Sequence, residues 1–438
     1  MKKVCVIGLG YIGLPTASVL ATHGHQVFGI DVSPQVVDTI NKGDIHIEEP
    51  GLKTIVQAAI NSGNLKAFLK PQKADVFIIA VPTPITDDKK ADLSYIESAA
   101  LSINEVIEPG NLVILESTSP PGTTKDFLLP ILEKSNLKPH EELFVAHCPE
   151  RVLPGKILTE LIQNTRIIGG IDKKSAQMAY DLYKSFVAAD MHLTDATTAE
   201  MVKIMENTYR DVNIALANEL AKMAHHSDFS AWEVIKFANL HPRVNIHSPG
   251  PGVGGHCISV DPWFIVEKFP NTAQLIHKSR LINDSMPEFT YKVMMNKLKG
   301  IDKPKITLLG VTYKPDIDDV RSSPVSDIIN NIKANPDLTL SIYDPHVRTY
   351  KHELAGLDEA FKDSDMILLA VDHAEFKYMD PKQIAKVVRT KKILDTRNVL
   401  DRQSWEENGF EYTLLGQSSS PDAVKDQISQ KANACSCK

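Results

Sequence analysis

Residues 4–31 constrain this chain more tightly than any other stretch. The run VCVIG (4–8) reads as a strand. Gly8-Leu9-Gly10-Tyr11-Ile12-Gly13 follows directly and opens an apolar helical segment over 12–23. A second strand-like run, QVFGID (26–31), then ends on Asp31. In this context the first glycine permits a tight turn, the second lets a phosphate approach the backbone, and the third lets helix and strand pack closely. The first N–H groups of the helix then face an anion. An acid at the end of the second strand suits two ribose hydroxyls and repels a 2′-phosphate, so the expected ligand is NAD and not NADP. Glycines at strand–helix turns are often only structural. It is the strand, helix and acid together that carry the expectation.

The alternation continues, with a helix over about 34–42 and strands at 75–81, 112–116, 143–147 and 166–169. Alternating strands and helices predict a doubly wound parallel sheet. From about Thr194 to Lys299 strand signals fade, and residues 197–225 carry apolar residues at the spacing of one long helix. A second α/β unit begins at KITLLG (305–310), with strands at LSIYD (340–344), MILLAV (366–371) and KILDT (392–396). Its glycine turn, Gly310-Val311-Thr312-Tyr313, lacks the fingerprint, so a second NAD is not expected there. The segment after Gln417 is polar and without a core pattern, and reads as a mobile tail.

Size and charge narrow the function. A chain of 438 residues is too long for one core and calls for two or three domains. A net charge of -7 argues against a general nucleic-acid or membrane-surface binder, while leaving room for a local basic pocket. The longest apolar runs are strand length, too short to span a bilayer. The five cysteines are scattered and suggest neither a disulfide framework nor a metal site, which fits a reducing cytoplasm.

The chemistry concentrates in a few segments. Gly250, Gly252, Gly254 and Gly255 fall within six residues, so the backbone there can wrap closely around a ligand. Cys257 follows at the end of this loop, with Asp261 four residues later. A buried, inert cysteine after a flexible linker is the competing interpretation. On a helix, Lys203 and Asn207 share a face with Arg210. Charged helix faces are usually solvated, yet Lys203 sits in a largely apolar stretch, where a lysine can move protons. Cys148-Pro149-Glu150-Arg151 and Glu116-Ser117-Thr118 each follow a strand, where open α/β sheets bind ligands. His241 and Arg243 precede the glycine loop. Tyr180 and Lys184 match the YxxxK of short-chain dehydrogenases, but their glycine spacing and single domain differ from this chain, and the pattern arises often on helices by chance.

Taken together, GLGYIGLPTA (8–17), CPERVLPG (148–155), ENTYRDVNIALANEL (206–220), HPRVNIHSPGPGVGGHCISVDPWF (241–264) and VTYKPDIDDVRSSP (311–324) resemble the UDP-glucose/GDP-mannose dehydrogenase family of nucleotide-sugar 6-dehydrogenases. The resemblance runs from about residue 3 to 415. It implies an NAD-binding Rossmann-type domain over 1–193, a central helical dimerisation domain over 194–300 and a UDP-sugar-binding α/β domain over 301–416, and it leaves the tail over 417–438 outside. It implies four-electron oxidation of the C6 hydroxyl of a UDP-hexose, UDP-N-acetyl-D-mannosamine by the wording of the motifs, with two NAD reduced and no metal.

By this resemblance Cys257 is the nucleophile that forms a thiohemiacetal and then a thioester. Lys203 transfers protons and, with Asn207, stabilises oxyanions. Asp261 and Glu150 orient or activate the hydrolytic water. Gly8, Gly10, Tyr11, Ile12, Gly13, Asp31, Thr83, Thr118 and Arg321 match cofactor positions. Arg151, Val152, Lys203, Asn207, Arg210, His241, Arg243, Gly254, Tyr313, Lys314 and Arg397 match substrate positions, and their cations suit two phosphates. ESTSPPGTT (116–124) and RSSP (321–324) depart mildly from the usual wording. Other readings are UDP-N-acetylglucosamine or another UDP-hexose as substrate, a two-electron alcohol dehydrogenase with an inert Cys257, and a non-catalytic nucleotide-sugar binding protein. The expected state is a cytoplasmic homodimer.

Overall fold

The computed structural model describes residues 1–418, so almost all of the tail, including Cys435 and Cys437, lies outside the described residues. Gln417, the first residue of the range given to the tail, makes a β-bridge to Ser230 and so belongs with the folded chain. The chain forms two compact units. One comprises Met1–Asn207 with Trp263–Thr272, the other Thr208–Pro262 with the described residues from Ala273 to Ser418.

The first unit is built on eight strands: β1 (Lys3–Ile7), β2 (Gln26–Ile30), β3 (Leu65–Phe68), β4 (Val76–Ile79), β5 (Asn111–Leu115), β6 (Leu143–His147), β7 (Arg166–Gly170) and β8 (Met191–Asp195). They lie in the order β3-β2-β1-β4-β5-β6-β7-β8, so strand order reverses between β1 and β4. That reversal opens a crevice beyond their carboxyl ends. Central strands such as Val4–Ile7, Val76–Ile79 and Leu112–Leu115 are buried on both faces, as a helix-covered parallel sheet requires. The helix Gly13–Thr22 buries Leu14, Ala17 and Leu20 in this core. A fully buried leucine contributes about 1.5–3 kcal/mol relative to exposure.

One pairing breaks the expected parallel pattern. β7 runs antiparallel to β6, with Ala146 opposite Gly170 and His147 opposite Gly169. Extending that register places Glu150 opposite Arg166, and the two form a buried ion pair. The chain between them turns back through only one short helix, Ile157–Gln163. Charge pairing and a short return together favour the antiparallel course.

The second unit carries the five strands β9 (Lys305–Leu309), β10 (Thr339–Tyr343), β11 (Met366–Leu369), β12 (Lys392–Asp395) and β13 (Glu411–Leu414), all parallel, in the order β10-β9-β11-β12-β13. This is the other common doubly wound order, with its switch point between β9 and β11. The long helix expected over 197–225 is observed as Ala196–His225. Within the second unit its Asp211 forms a buried ion pair with Arg280, which also binds Asp284, while Asn283 donates to Asp211. Among the described residues no helix is long and apolar enough to cross a membrane.

Candidate active site

The glycine turn after β1 has the geometry its sequence implies. Gly8 has φ +92°, and a Cβ there would lie 2.6 Å from the carbonyl oxygen of Ala80. A Cβ on Gly13 would overlap the carbonyl oxygen of Gly8, so strand and helix approach as closely as backbones can. At Gly10 a Cβ would meet nothing within 4 Å, so this side of the turn is open to a ligand. Asp31 accepts from Leu9 N at 3.2 Å and from Ser33 N at 2.9 Å, which fixes its carboxylate beside the turn. Across the switch point, the hydroxyl oxygen of Thr83 is buried without a hydrogen-bond partner. An open glycine, a fixed carboxylate and an orphaned hydroxyl fit a dinucleotide. Tyr11 is exposed, and Ile12 precedes the helix as its N-cap.

The second unit repeats this design with a different outcome. Asp344 ends its second strand as Asp31 does, accepting from Val311 N at 2.7 Å and from His346 N at 2.9 Å. Here the carboxylate is buried and the His373 ring lies 3.2 Å from it. The place of a ribose is taken by a histidine, in keeping with the missing fingerprint. Asp316, His346 and His373 bring three possible ligand atoms within 4.8 Å of one another, which no sequence spacing announced. His373 Nδ1 already accepts from Asp316 N at 2.9 Å, which leaves its Nε2–H to face Asp344. Both ring nitrogens therefore serve the turn.

The loop Cys148–Gly155 is tied down from several sides. Glu49 is buried and accepts from Gly155 N and Ile157 N, each at 2.8 Å, and Glu160 accepts from Leu153 N at 2.7 Å. Arg151 forks onto Glu206 of the long helix at 2.5 and 3.1 Å and donates to Thr165 O at 3.0 Å. Val152 packs against the main core of this unit. Glu150 pairs with Arg166 inside the unit, beside Glu116, Tyr183 and Cys148. Burial, with the Glu150 charge added, pushes the Glu116 carboxyl up to about 8, and burial pushes the Cys148 thiol up to about 12. Cys148 is thus a packed, inert thiol.

Thr118 follows β5, half-buried, on a loop held by Ser117 Oγ donating to Val81 O at 2.7 Å. Lys203 and Asn207 are half-buried on the first turns of the long helix. Tyr180 and Lys184 stack on each other at 5.6 Å on the helix Lys173–Tyr183 and its cap, where Lys184 is exposed.

In the second unit the glycine loop proves to be shaped by the chain itself. A Cβ on Gly252 would meet Pro324 at 2.5 Å, one on Gly254 would meet Pro324 and Ser322 at 2.6 Å, and one on Gly255 would meet the Tyr313 ring at 2.8 Å. Gly250 packs on the Arg397 guanidinium and donates to Asn218 of the long helix at 2.9 Å. The glycines expected to wrap a ligand therefore seat the loop against Tyr313 and Arg397, two expected substrate residues. Arg397 is steadied by Asp372 at 2.9 Å, and Arg321 by Asp319. Cys257 is exposed at the end of the loop, and its carbonyl accepts from Val260 N and Asp261 N at 3.0 and 2.8 Å. Asp261 is buried in the first turn of the helix Asp261–Lys268. Lys314 is exposed after Tyr313, and Arg210, His241 and Arg243 are exposed too. Glu49, Arg166 and Glu206, which hold these segments, were not singled out from sequence. Each acts through a distant partner, so no local motif marks it.

A Rossmann unit fit for a dinucleotide, together with an exposed thiol on a glycine loop, defines an NAD-linked oxidoreductase of the kind that works on nucleotide sugars. The chain belongs to the UDP-glucose/GDP-mannose dehydrogenase family. Residues 2–187 match its NAD binding domain, 197–285 its central domain and 307–402 its UDP binding domain. The resemblance found in the sequence is thereby confirmed, as is the three-domain α/β architecture with NAD as cofactor. The chain is 52% identical over 425 residues to UDP-N-acetyl-D-mannosamine dehydrogenase of Methanococcus vannielii, covering 95% of this chain and 97% of that one. It is 44% identical to NDP-N-acetyl-D-galactosaminuronic acid dehydrogenase of Ralstonia nicotianae, over 91% and 96% of the two chains. The solved UDP-D-ManNAc dehydrogenase of Pyrococcus horikoshii superposes with a TM-score of 0.88 at 41% identity, covering 95% of this chain and all of that one.

Proposed function

We propose that this chain oxidises the C6 hydroxyl of UDP-N-acetyl-D-mannosamine to the carboxylate. The observation that carries the chemistry is an exposed thiol, Cys257, on a loop whose glycines seat it against Tyr313 and Arg397. The sugar is taken from the names of the relatives at about half identity. Bound NAD supplies hydride acceptance, needed twice per sugar.

The chain's own residues then have distinct tasks. Lys203 takes the proton of the C6 hydroxyl as the aldehyde forms, and Asn207 donates to the developing oxyanion. The Cys257 thiolate adds to the aldehyde carbon. The adduct becomes a thioester by giving up its carbon-bound hydrogen as hydride and its hydroxyl proton, and water cleaves the thioester to the acid and the free thiol. Asp261, in the helical turn that begins at Cys257, is the better placed of the two carboxylates to orient that water. Glu150 is committed to Arg166 and serves to hold the Arg151 loop. Arg151, Val152, Arg210, His241, Arg243, Gly254, Tyr313, Lys314 and Arg397 are assigned to the sugar nucleotide. Gly8, Gly10, Tyr11, Ile12, Gly13, Asp31, Thr83, Thr118 and Arg321 are assigned to NAD.

The domain limits assigned are 1–193, 194–300 and 301–416. A cytoplasmic homodimer is the proposed state; the pairing is supported by Tyr209, Leu216 and Met223 exposed along the long helix and by Phe237 and Leu240 beyond it. Light scattering on the purified chain would test this; a monomer at micromolar concentration would refute it.

Assaying NADH formation with a panel of UDP-hexoses tests the reaction itself. Two NADH per UDP-N-acetylmannosamine and an acid product are expected, with steady turnover abolished in Cys257→Ser. One NADH per sugar would overturn the four-electron reading. Faster turnover of another UDP-N-acetylhexosamine would shift the substrate, an alternative favoured by the galactosaminuronate relative.

A further inference from the structure

The long helix that carries Lys203 and Asn207 is fastened in the first unit by one buried carboxylate. Glu200 lies one helical turn before Lys203 and is wholly buried. Its two oxygens accept from Gly122 N at 2.6 Å, Thr124 N at 2.7 Å and Thr124 Oγ at 2.6 Å. These donors follow directly on the Ser117–Pro121 loop that holds Thr118. Gly122 has φ +92°, and Thr123–Leu128 continues as a single stretch of π-helix. Such π-turns are rare and recur at functional sites. The carboxylate meets the N-terminus of that turn, where unpaired N–H groups favour negative charge.

We infer that Glu200 is a positioning residue: its carboxylate clamps the helix bearing Lys203 and Asn207 to the loop bearing Thr118, and so sets where the proton-transfer lysine stands relative to the cofactor. This rests on the roles proposed above for Lys203 and Thr118. A buried carboxylate without such donors would be expensive, and a leucine here would leave the buried Gly122 and Thr124 donors unpaired. Side chains at i and i+3 share a helix face, so a shift at Glu200 carries directly to Lys203. Misplacement by about 1 Å costs on the order of 100-fold in rate.

Burial also brings the clamp's titration toward neutral pH. Burial raises the Glu200 carboxyl to about 7, opposed by its three donors and reinforced by Asp126 on the π-turn. Lys268 faces Asp126 at 3.6 Å, and Lys203 follows three residues later on the long helix. The carboxylate that gathers three donors is therefore complete only above about pH 7.

The test uses the full chain with Glu200→Gln and Thr124→Val, assayed with whichever UDP-hexose the wild type turns over. The expected result for Glu200→Gln is a fall in kcat of about 100-fold, with KM for the sugar and Kd for NAD within a few-fold of wild type. A rise in kcat through about pH 7 is expected in the wild type, and its Glu200 component is expected to be missing in Glu200→Gln, leaving the rise that Lys203 and Cys257 give. Thr124→Val keeps the backbone donors and loses the hydroxyl, so a smaller fall in kcat is expected at unchanged Kd for NAD. Folded variants with wild-type kcat and pH profile would overturn the inference, as would a loss of kcat matched by an equal loss of NAD binding. A Glu200→Gln chain that does not fold leaves Thr124→Val to decide on the same readouts. If the wild type turned over no UDP-hexose, the functional reading would fail and hydrogen exchange would judge the clamp alone. Selectively faster exchange of 118–128 and 196–207 in Glu200→Gln would then support it, and protection equal to wild type would overturn it.

Discussion

His147 ends β6, immediately before the Cys148–Gly155 loop, and is completely buried with neither ring nitrogen hydrogen-bonded. Burial lowers its pKa from 6.5 to about 3. Between these values an opened unit binds a proton at His147 and the folded one does not, so stability is lost as pH falls below about 6.5. At pH 5 the difference is about 1.5 decades of proton binding, or about 2 kcal/mol and ~30-fold in the opening equilibrium. His147→Leu removes the titration and two unpaired nitrogens while keeping an apolar volume in the sheet. Hydrogen exchange of the 143–147 amides, compared between wild type and variant at each pH, cancels the intrinsic pH dependence of exchange. The protection ratio of variant to wild type should rise ~30-fold between pH 7.5 and pH 5. A ratio that stays flat across this range would refute the assignment of a buried neutral imidazole.

The glycine turn predicts a contrast. Gly13→Ala places a Cβ against the Gly8 carbonyl and should destabilise the first unit by about 3 kcal/mol or more. Gly10→Ala meets no atom of the chain, so it should melt like wild type yet bind NAD more weakly; equal melting of the two variants would refute this. Asp31→Ala should raise KM for NAD about tenfold or more, since a hydrogen bond to a charged group is worth about 1.5–3 kcal/mol. The preference for NAD over NADP should also narrow, and unchanged kinetics with both cofactors would remove Asp31 from the ribose site. Tyr180→Phe should leave turnover within a few-fold of wild type, because Tyr180 packs on Lys184; abolished turnover would revive the YxxxK reading.

Most of the fold was legible because its signals are local. Central strands such as Val76–Ile79 are continuous apolar runs, and the long helix shows its period over thirty residues. The strands that sequence missed, β3, β8 and β13, all lie at sheet edges. Edge strands bury less and alternate with polar residues, as MHLTD at 191–195 does, so no apolar run announces them. The candidate site divides the same way. Cys257, Lys203 and Asn207 stood out by type and spacing. Glu49, Arg166 and Glu200 did not, since an isolated acid or arginine carries no pattern of its own.

The sequence by itself determined the cofactor turn, because Gly8, Gly10, Gly13 and Asp31 act within one strand–helix–strand span where spacing dictates geometry. It also determined, through the family wording of its motifs, which residues to assign to the chemistry. Only the tertiary structure decided how those residues are held. The antiparallel return of β7 brings Glu150 to Arg166, the Gly250–Gly255 loop packs on Tyr313, Pro324 and Arg397, and the Lys203 helix is clamped to Gly122 and Thr124. Each of these contacts joins residues far apart along the chain. Their free energy depends on burial and exact partner geometry, which one-dimensional spacing does not encode.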